Sequence, residues 1–479
     1  MVWNFNKYIL NQAAVSDHGE SITYEQLALS AEEFAQNIPQ RSLIFALCKN
    51  SIGSLVGYAG MINYSNVSLL LNSATDRELL RNLINVYRPD YLWVPKSLTT
   101  QFEEFSSIYD SWDYVLLKTT FDWHYPLSDD LALLLTTSGS TGSPKLVRLT
   151  SGNLKANTQS IVEYLQLDST EKPITTLPMN YSYGMSIINS HLAVGATLLL
   201  TDSSIMEKKF WSFFREREAT SFGGVPYTYE MLNKLRFFRM NLDSLRTLTQ
   251  AGGKIPVVLH QKFAEYAHTA GKRFFVMYGQ TEASPRMAYL PHEKALEKCG
   301  SIGIAIPGGK FSLVGTDGKE INEPYVPGEL VYSGANVSLG YAEAGEDLNK
   351  GDEFKGRLYT GDLAQFDKDG YFYIVGRKKR FLKIFGNRLN LEETEGLIQS
   401  HFNTECACTG VDDKMRVFVT GNFPTEEIKK FISEKTALNP VAFDICSVDA
   451  IPKNEYGKVL YQALEENGSK QVIAGSRYA

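Results

Sequence analysis

Thr136, Thr137, Ser138, Gly139, Ser140, Thr141, Gly142, Ser143, Pro144 and Lys145 form an unbroken run of hydroxyls and glycines closed by a lysine. Such a run suits an anion. Small residues let backbone N–H groups approach phosphate oxygens, hydroxyls add donors, and the lysine adds charge. It is not the nucleotide-binding P-loop, which needs Gly, four residues, then Gly-Lys-Ser/Thr. Counting five on from Gly139 reaches Pro144, and Lys145 is followed by Leu146. Further candidates follow in order: Tyr278-Gly-Gln-Thr281-Glu282, Tyr359-Thr-Gly-Asp362, Gly376-Arg377 and Gly457-Lys458. A carboxylate at Glu282 could hold Mg²⁺ beside a phosphate-contacting hydroxyl on Thr281, and a carboxylate at Asp362 could accept ribose hydroxyls. Taken singly, Glu282 also reads as a solvated loop residue, Asp362 as a turn cap and Lys458 as a surface lysine.

The elements that must carry these residues are legible from periodicity. Segments 131–135 and 147–150 read as short buried strands, so the hydroxyl-rich loop joins two strands and opens no helix. Before it, helices at 24–36 and 76–87 alternate with strands at 42–47 and 91–94. The rhythm continues with a strand at 174–177, a buried strand at 192–200, a helix at 208–217 and a strand at 274–277 feeding Tyr278. Alternation of this kind predicts an α/β layered domain with parallel pairing. From 308 to 376 the texture becomes short strands with Asp317-Gly318 and Asp369-Gly370 turns, the look of a small β-barrel-like or hairpin subdomain. A compact α+β unit follows, with helices at 391–401 and 425–435 and strands at 406–411, 416–420 and 444–448. The expected fold class is therefore α/β, with a large N-terminal domain at 1–377 and a small mobile α+β lid at 378–479. The basic run Arg377-Lys-Lys-Arg380 is short enough to be a hinge between them.

Bulk properties exclude several classes. A chain of 479 residues is too long for one core. Its net charge of −6 leaves no basic footprint for nucleic acid. No apolar run is long enough to span a bilayer. The start of the chain has no basic and apolar leader pattern. Five cysteines without a C-x-x-C suit a reducing cytoplasm, and the close pair Cys406 and Cys408 reads as two strand residues on one face. No histidines stand at metal-ligand spacing.

Taken together the motifs resemble the adenylate-forming superfamily: acyl- and aryl-CoA synthetases, peptide-synthetase adenylation domains and beetle luciferases. The resemblance runs from about Thr23 to Tyr461, with further matching segments at Gly224-Val-Pro226, Ala251-Gly252-Gly253, Gly328–Gly334, Gly340-Tyr341 and Lys383-Ile-Phe-Gly-Asn-Arg388. It implies a two-step ligase. A carboxylate attacks the α-phosphorus of ATP, pyrophosphate leaves, and a thiol then displaces AMP from the acyl-adenylate. By position, Thr137–Gly142 and Lys145 would cradle the β- and γ-phosphates, Thr281 would meet the α-phosphate and Glu282 the Mg²⁺. Asp362 and Arg377 would hold the ribose, and Tyr278 with Gly252 and Gly253 would flank the adenine. Lys458 would bridge the carboxylate and the α-phosphate. Lys379 stands at the hinge about which relatives rotate the lid, exchanging Lys458 for the Lys383–Gly386 segment.

The chain departs from the family pattern at two places near these motifs. Leu146 replaces the glycine that usually follows Pro-Lys, and Tyr181 stands where many acyl-activating members have a histidine gating the carboxylate pocket. Asn180, Tyr181 and Ser182 supply no aspartate for an α-ammonium, which disfavours a free amino acid. Gly223 and Met277 fall with Tyr181 where the acyl pocket should be, alongside Met179, Met185, Ile187, Ile188 and Phe222, and they point to an apolar fatty or aryl acid. The acceptor thiol is coenzyme A or the phosphopantetheine of an acyl carrier protein. Rival readings are an inactive or regulatory nucleotide-binding relative, an amino-acid-adenylating domain and a luciferase-like oxidation. The first predicts loss of Glu282, Asp362 or Lys458, and all three are present.

Overall fold

Thr23 starts the first long helix. Its hydroxyl accepts from the Gln26 N–H while the Gln26 side chain accepts from the Thr23 N–H, and helix Tyr24–Gln36 follows with Tyr24, Leu27, Ala31 and Phe34 buried. The computed structural model describes residues 2–136, 145–378, 380–384, 387–411, 413–421, 423–436, 438–453, 459–461 and 463–465. The chain divides into two compact units, 1–311 with 332–358, and 312–331 with 359–479.

The first unit is built on two large sheets. One is eight-stranded, and its centre pairs Leu43–Cys48 in parallel with both Val67–Asn72 and Tyr91–Pro95. Val67–Asn72 in turn pairs in parallel with Leu131–Thr136, which runs antiparallel to Leu146–Thr150. Thr136 and Lys145 therefore flank a connection between neighbouring strands, as the sequence predicts. The sheet ends on Gly340–Ala342, antiparallel to Leu146–Thr150. The other sheet is nine-stranded, and Pro173–Ile174, Ser221–Gly224, Thr247–Gln250 and Arg273–Gly279 pair in parallel at its centre. Arg273–Gly279 then pairs antiparallel with Arg286–Tyr289. Helices Tyr24–Gln36, Ile52–Asn63 and Ser182–Ala193 share one hydrophobic cluster with strand residues of both sheets, among them Ala14, Leu198, Ile44, Leu70 and Leu133. That burial is the main force holding the layers together.

Two expectations fail. The strand expected at 174–177 is only Pro173–Ile174. The apolar stretch at 192–200 is not a single strand, because Leu192 and Ala193 complete the Ser182–Ala193 helix and only Leu198–Leu200 is extended. Gly195, at φ +76°, makes the turn between them.

In the second unit the glycine-punctuated stretch contributes strands Glu320–Ile321 and Phe372–Arg377, with residues 328–331 and 359–366 of two longer strands, to a five-stranded sheet. Gly318 and Gly370 take φ +79° and +82° in the two Asp-Gly turns. A separate core follows, in which Cys406 and Cys408 are buried with Ile398, Val417, Ile428 and Phe443, while Ala407 faces a second cluster with Phe418 and Ile451. The two cysteines thus share a strand face, as strand alternation requires.

Candidate active site

The Ala251-Gly252-Gly253 turn is shaped by Gln250, whose buried amide donates to Ala251 O at 3.2 Å and Gly253 O at 2.9 Å. Gly252 adopts φ +82°, and a Cβ there would stand 2.6 Å from the Tyr181 hydroxyl. Glycine is therefore required both by the turn and by the approach of Tyr181. Burial pushes the Tyr181 phenol up to about 12, so it stays protonated.

Strand Arg273–Gly279 delivers Tyr278 and then Thr281-Glu282. Gly279 sits at a tight crossing, since a Cβ would lie 1.9 Å from Pro285 O, and the Gln280 N–H donates to that same carbonyl at 2.9 Å. Thr281 Oγ1 lies 3.1 Å from Ser182 Oγ at the start of helix Ser182–Ala193. Glu282 is held from two sides. Its Oε1 accepts from the Tyr341 hydroxyl at 2.9 Å, and its backbone carbonyl accepts from the Ser338 N–H at 2.8 Å. Burial first, and the Glu282 carboxylate second, push the Tyr341 phenol well up, which keeps it a donor. The same ring lies under Lys145, whose Nζ stands 4.0 Å from the ring centre and 3.0 Å from Glu343 Oε1. The lysine that closes the hydroxyl-rich run is thus next to the Thr281-Glu282 turn.

Gly223 stands against Tyr183. A Cβ on Gly223 would touch Ile187, Thr249 and the Tyr183 hydroxyl, and that hydroxyl lies 2.9 Å from Thr249 Oγ1. Met277 accepts from the Tyr164 hydroxyl at 3.2 Å. In the second unit, Asp362 and Arg377 are opposite partners on adjacent strands, with Arg377 Nε 3.0 Å from the buried Asp362 Oδ1, and the Asp362 backbone N–H donates to the Thr360 hydroxyl at 3.1 Å. Thr137, Ser138, Gly139, Ser140, Thr141, Gly142, Lys379 and Lys458 lie outside the described residues.

The donor set fits a magnesium ion held mainly by a nucleotide. Among the described residues no three histidine, cysteine or acidic side chains cluster as a metal site. Mg²⁺ at nucleotide sites takes one or two carboxylates and otherwise phosphate and water oxygens. Glu282, with one oxygen bound to Tyr341 and no hydrogen-bond partner for the other among the described residues, offers the carboxylate.

Residues 3–342 match the AMP-binding enzyme family. The chain belongs to that family. It is 32% identical over 291 residues to a feruloyl-CoA synthase of Amycolatopsis sp, a match covering 60% of this chain and 57% of that one. A long-chain-fatty-acid–CoA ligase of Escherichia coli O157:H7 is 27% identical over 454 residues, 87% of this chain and 78% of the ligase. Among solved structures, o-succinylbenzoate CoA synthetase from Bacillus subtilis in complex with its acyl-adenylate intermediate superposes with a TM-score of 0.78 at 20% identity, covering 96% of this chain and 97% of that one. ATP-bound MatB from Rhodopseudomonas palustris gives 0.75 at 22%, with 95% of each chain covered. At these identities the structural likeness is one of fold, and it agrees with the α/β class read from the sequence.

Some side chains that shape these turns are not singled out by the sequence motifs. Ser182 and Tyr341 appear within quoted motifs but received no role, though they are the side chains that touch Thr281 and Glu282. Arg148 and Arg286 gave no signal, because an arginine in an apolar strand reads as solvent-facing. Both are buried.

His191, 3% exposed, lies on the same helix as Ser182. Its Nδ1 is 2.7 Å from Ile187 O, and burial pushes it down from 6.5 to about 4, with Arg286 adding to the effect. The unfolded chain protonates near the ordinary value and the folded protein only near the lowered one. Stability is therefore complete above about 6.5 and is lost as pH falls toward 4, by roughly 3 kcal/mol in all. Thermal melts from neutral pH downward should show this slope, and His191→Gln should flatten it.

Proposed function

We propose that this chain is an ATP-dependent carboxylic acid–coenzyme A ligase. The observation that carries the reading is the Thr281-Glu282 turn, held by Ser182 and Tyr341, with Lys145 on the Tyr341 ring. The substrate carboxylate attacks the α-phosphorus of ATP, the bond to pyrophosphate breaks, and an acyl-adenylate forms. The thiolate of coenzyme A then attacks the acyl carbon and AMP leaves with the bonding pair. Charge spreads over phosphate oxygens in the first step, so positioning and electrostatics dominate.

In this reading Thr281 contacts the α-phosphate, Glu282 holds Mg²⁺, and Thr137–Gly142 with Lys145 take the outer phosphates. Magnesium, when bound, neutralises phosphate charge. Gly252, Gly253 and Tyr278 flank the adenine, Asp362 braced by Arg377 takes the ribose, and Lys458 supplies the mobile cation. Tyr181, Gly223 and Met277 border the acid, whose hydrocarbon body packs on Ile187 and Met185. The names of the relatives favour coenzyme A over a carrier protein as acceptor.

We also place the boundary between the ligase body and its lid at Lys379. Ion pairs on either side support it. Lys378 bonds Glu329 at 2.6 Å, whereas Arg380 is pinned to Glu395 at 2.7 and 3.1 Å, to the Tyr461 hydroxyl at 2.6 Å and to Cys408 O at 2.8 Å. Five unpaired cysteines suit a reducing, cytoplasmic setting, and no described helix is long and apolar enough to cross a membrane.

The test is pyrophosphate release with ATP and Mg²⁺ against a panel of carboxylic acids, with Lys458→Ala alongside and coenzyme A added in a second series. Acid-dependent release that the variant loses, and thioester formation in the second series, is the expected result. Release without acid, or none with any acid, overturns the reading.

A further inference from the structure

Arg286 carries a charge that no described residue answers. It opens strand Arg286–Tyr289 and is 2% exposed. Its Nε donates to Ser186 Oγ at 3.0 Å, and its Nη1 to the Tyr164 hydroxyl at 2.9 Å and the Met277 thioether at 2.6 Å. The guanidinium carbon lies 4.6 Å from the centre of the Tyr183 ring. Every one of these partners is neutral. Nη2 donates to none of the described residues, and no described carboxylate pairs with the group. Within its electrostatic reach is a buried ring nitrogen with no hydrogen-bond partner among the described residues, His191 Nε2.

A buried cation held only by hydroxyls, a thioether and a ring remains expensive. Cation–π contact and neutral hydrogen bonds offset part of the desolvation, and a carboxylate offsets far more because its bond to arginine is charge-assisted and bidentate. The neighbours of Arg286 say where that carboxylate would come from. Tyr183 bridges Arg286 to Gly223 and Thr249, and Met277 lies on the adjacent strand. These border the acid site. Ser186, which holds Nε, is one helical turn along from Ser182, which meets Thr281, a rise of about 6 Å. The cation therefore stands about one turn from the hydroxyl assigned to the α-phosphate.

We propose that Arg286 receives a second anionic group of the acid, so that the substrate class is a dicarboxylic acid activated at one end only. The proposal rests on the ligase reading above and narrows it. One carboxylate goes to the α-phosphorus, the hydrocarbon spacer lies along Ile187, and the distal carboxylate pairs with Nη2. An uncharged terminus leaves the guanidinium unpaired, which is the basis for rejecting monoacids.

The experiment compares succinic, glutaric, adipic and longer α,ω-diacids with the monoacid of equal carbon count, in wild type, Arg286→Met and Arg286→Lys. It reads pyrophosphate release and the thermal shift produced by each acid. Wild type should prefer its best diacid by at least about 30-fold in kcat/KM, about 2 kcal/mol. Arg286→Met should reverse that preference and melt no lower than wild type when free of ligand, because it removes an uncompensated buried charge. Arg286→Lys, keeping a point charge, should retain a reduced diacid preference. Wild type favouring monoacids, or Arg286→Met leaving the ratio unchanged while melting lower, would mark Arg286 as structural and overturn the inference while the ligase reading stands. Diacids that raise the melting temperature of wild type alone, with no release, would sustain the anion site and overturn the ligase reading. Neither release nor shift with any acid overturns both.

Discussion

Glu282→Gln should lower acid-dependent pyrophosphate release by about 10³-fold while leaving the fold unchanged, the upper end of what loss of one preorganised electrostatic group costs. The substitution is nearly isosteric, and a Gln carbonyl can still accept the Tyr341 hydrogen bond that Glu282 Oε1 accepts at 2.9 Å. The Ser338 N–H bond to the backbone carbonyl is untouched. Only the negative charge is lost, so the deficit should appear in kcat and in the magnesium concentration needed, with melting temperature close to wild type. Tyr341→Phe separates placement from charge. It keeps the carboxylate and the aromatic ring under Lys145 but removes the phenol donor, and should cost about tenfold, the scale of one hydrogen bond to a charged group. A Glu282→Gln enzyme keeping a third or more of its rate would show that the carboxylate is not at the reacting phosphates.

The elements that carry these residues were readable for local reasons. Helix Tyr24–Gln36 announces itself through the Leu27, Ala31, Phe34 spacing and the Thr23/Gln26 cap, and both are determined within a few residues. The strands flanking the hydroxyl-rich run are short leucine-rich stretches, buried on both faces of a sheet. Leu192 and Ala193 misled because a buried helix end and a buried strand are equally apolar, and periodicity cannot part them over so few residues. Family motifs single out Thr281, Glu282, Asp362 and Arg377 as candidates directly from the sequence. Side chains acting across long sequence separation are not singled out in this way. Tyr341 reaches Glu282 over 59 positions, and Arg286 reaches Tyr164 over 122. No local pattern encodes such pairs. The apolar residues Met277 and Ile187 are visible to the same local view, whereas the buried Arg286 bonded to Met277 is not.

Arg148→Leu should destabilise the first unit by about 3–5 kcal/mol, the scale for breaking a buried charged network by removing one partner. Arg148 is fully buried on strand Leu146–Thr150. Its Nε donates to Tyr341 O at 2.9 Å, Nη1 to Lys350 O, and Nη2 to Leu339 O at 3.2 Å, Gly351 O at 3.1 Å and Glu353 Oε2 at 2.6 Å. Glu353 is half exposed and can turn to water, but the carbonyls around the Gly340–Ala342 strand cannot all do so. Leucine removes every donor at once. Lysine restores only part of the loss, since one ammonium on a flexible stem cannot span acceptors that a planar guanidinium reaches together. Glu353→Gln, by contrast, should be nearly neutral because the pair is open to solvent on its acidic side. The consequence reaches the chemistry. Gly340–Ala342 carries Tyr341, so loosening this strand withdraws the phenol from Glu282 and the ring from Lys145 together. Urea unfolding followed alongside pyrophosphate release should show the remaining folded Arg148→Leu enzyme losing at least as much kcat as Tyr341→Phe. Stability within about 1 kcal/mol of wild type, or full activity in the folded fraction, would mean that strand pairing alone holds Tyr341 and that Arg148 is dispensable to the site.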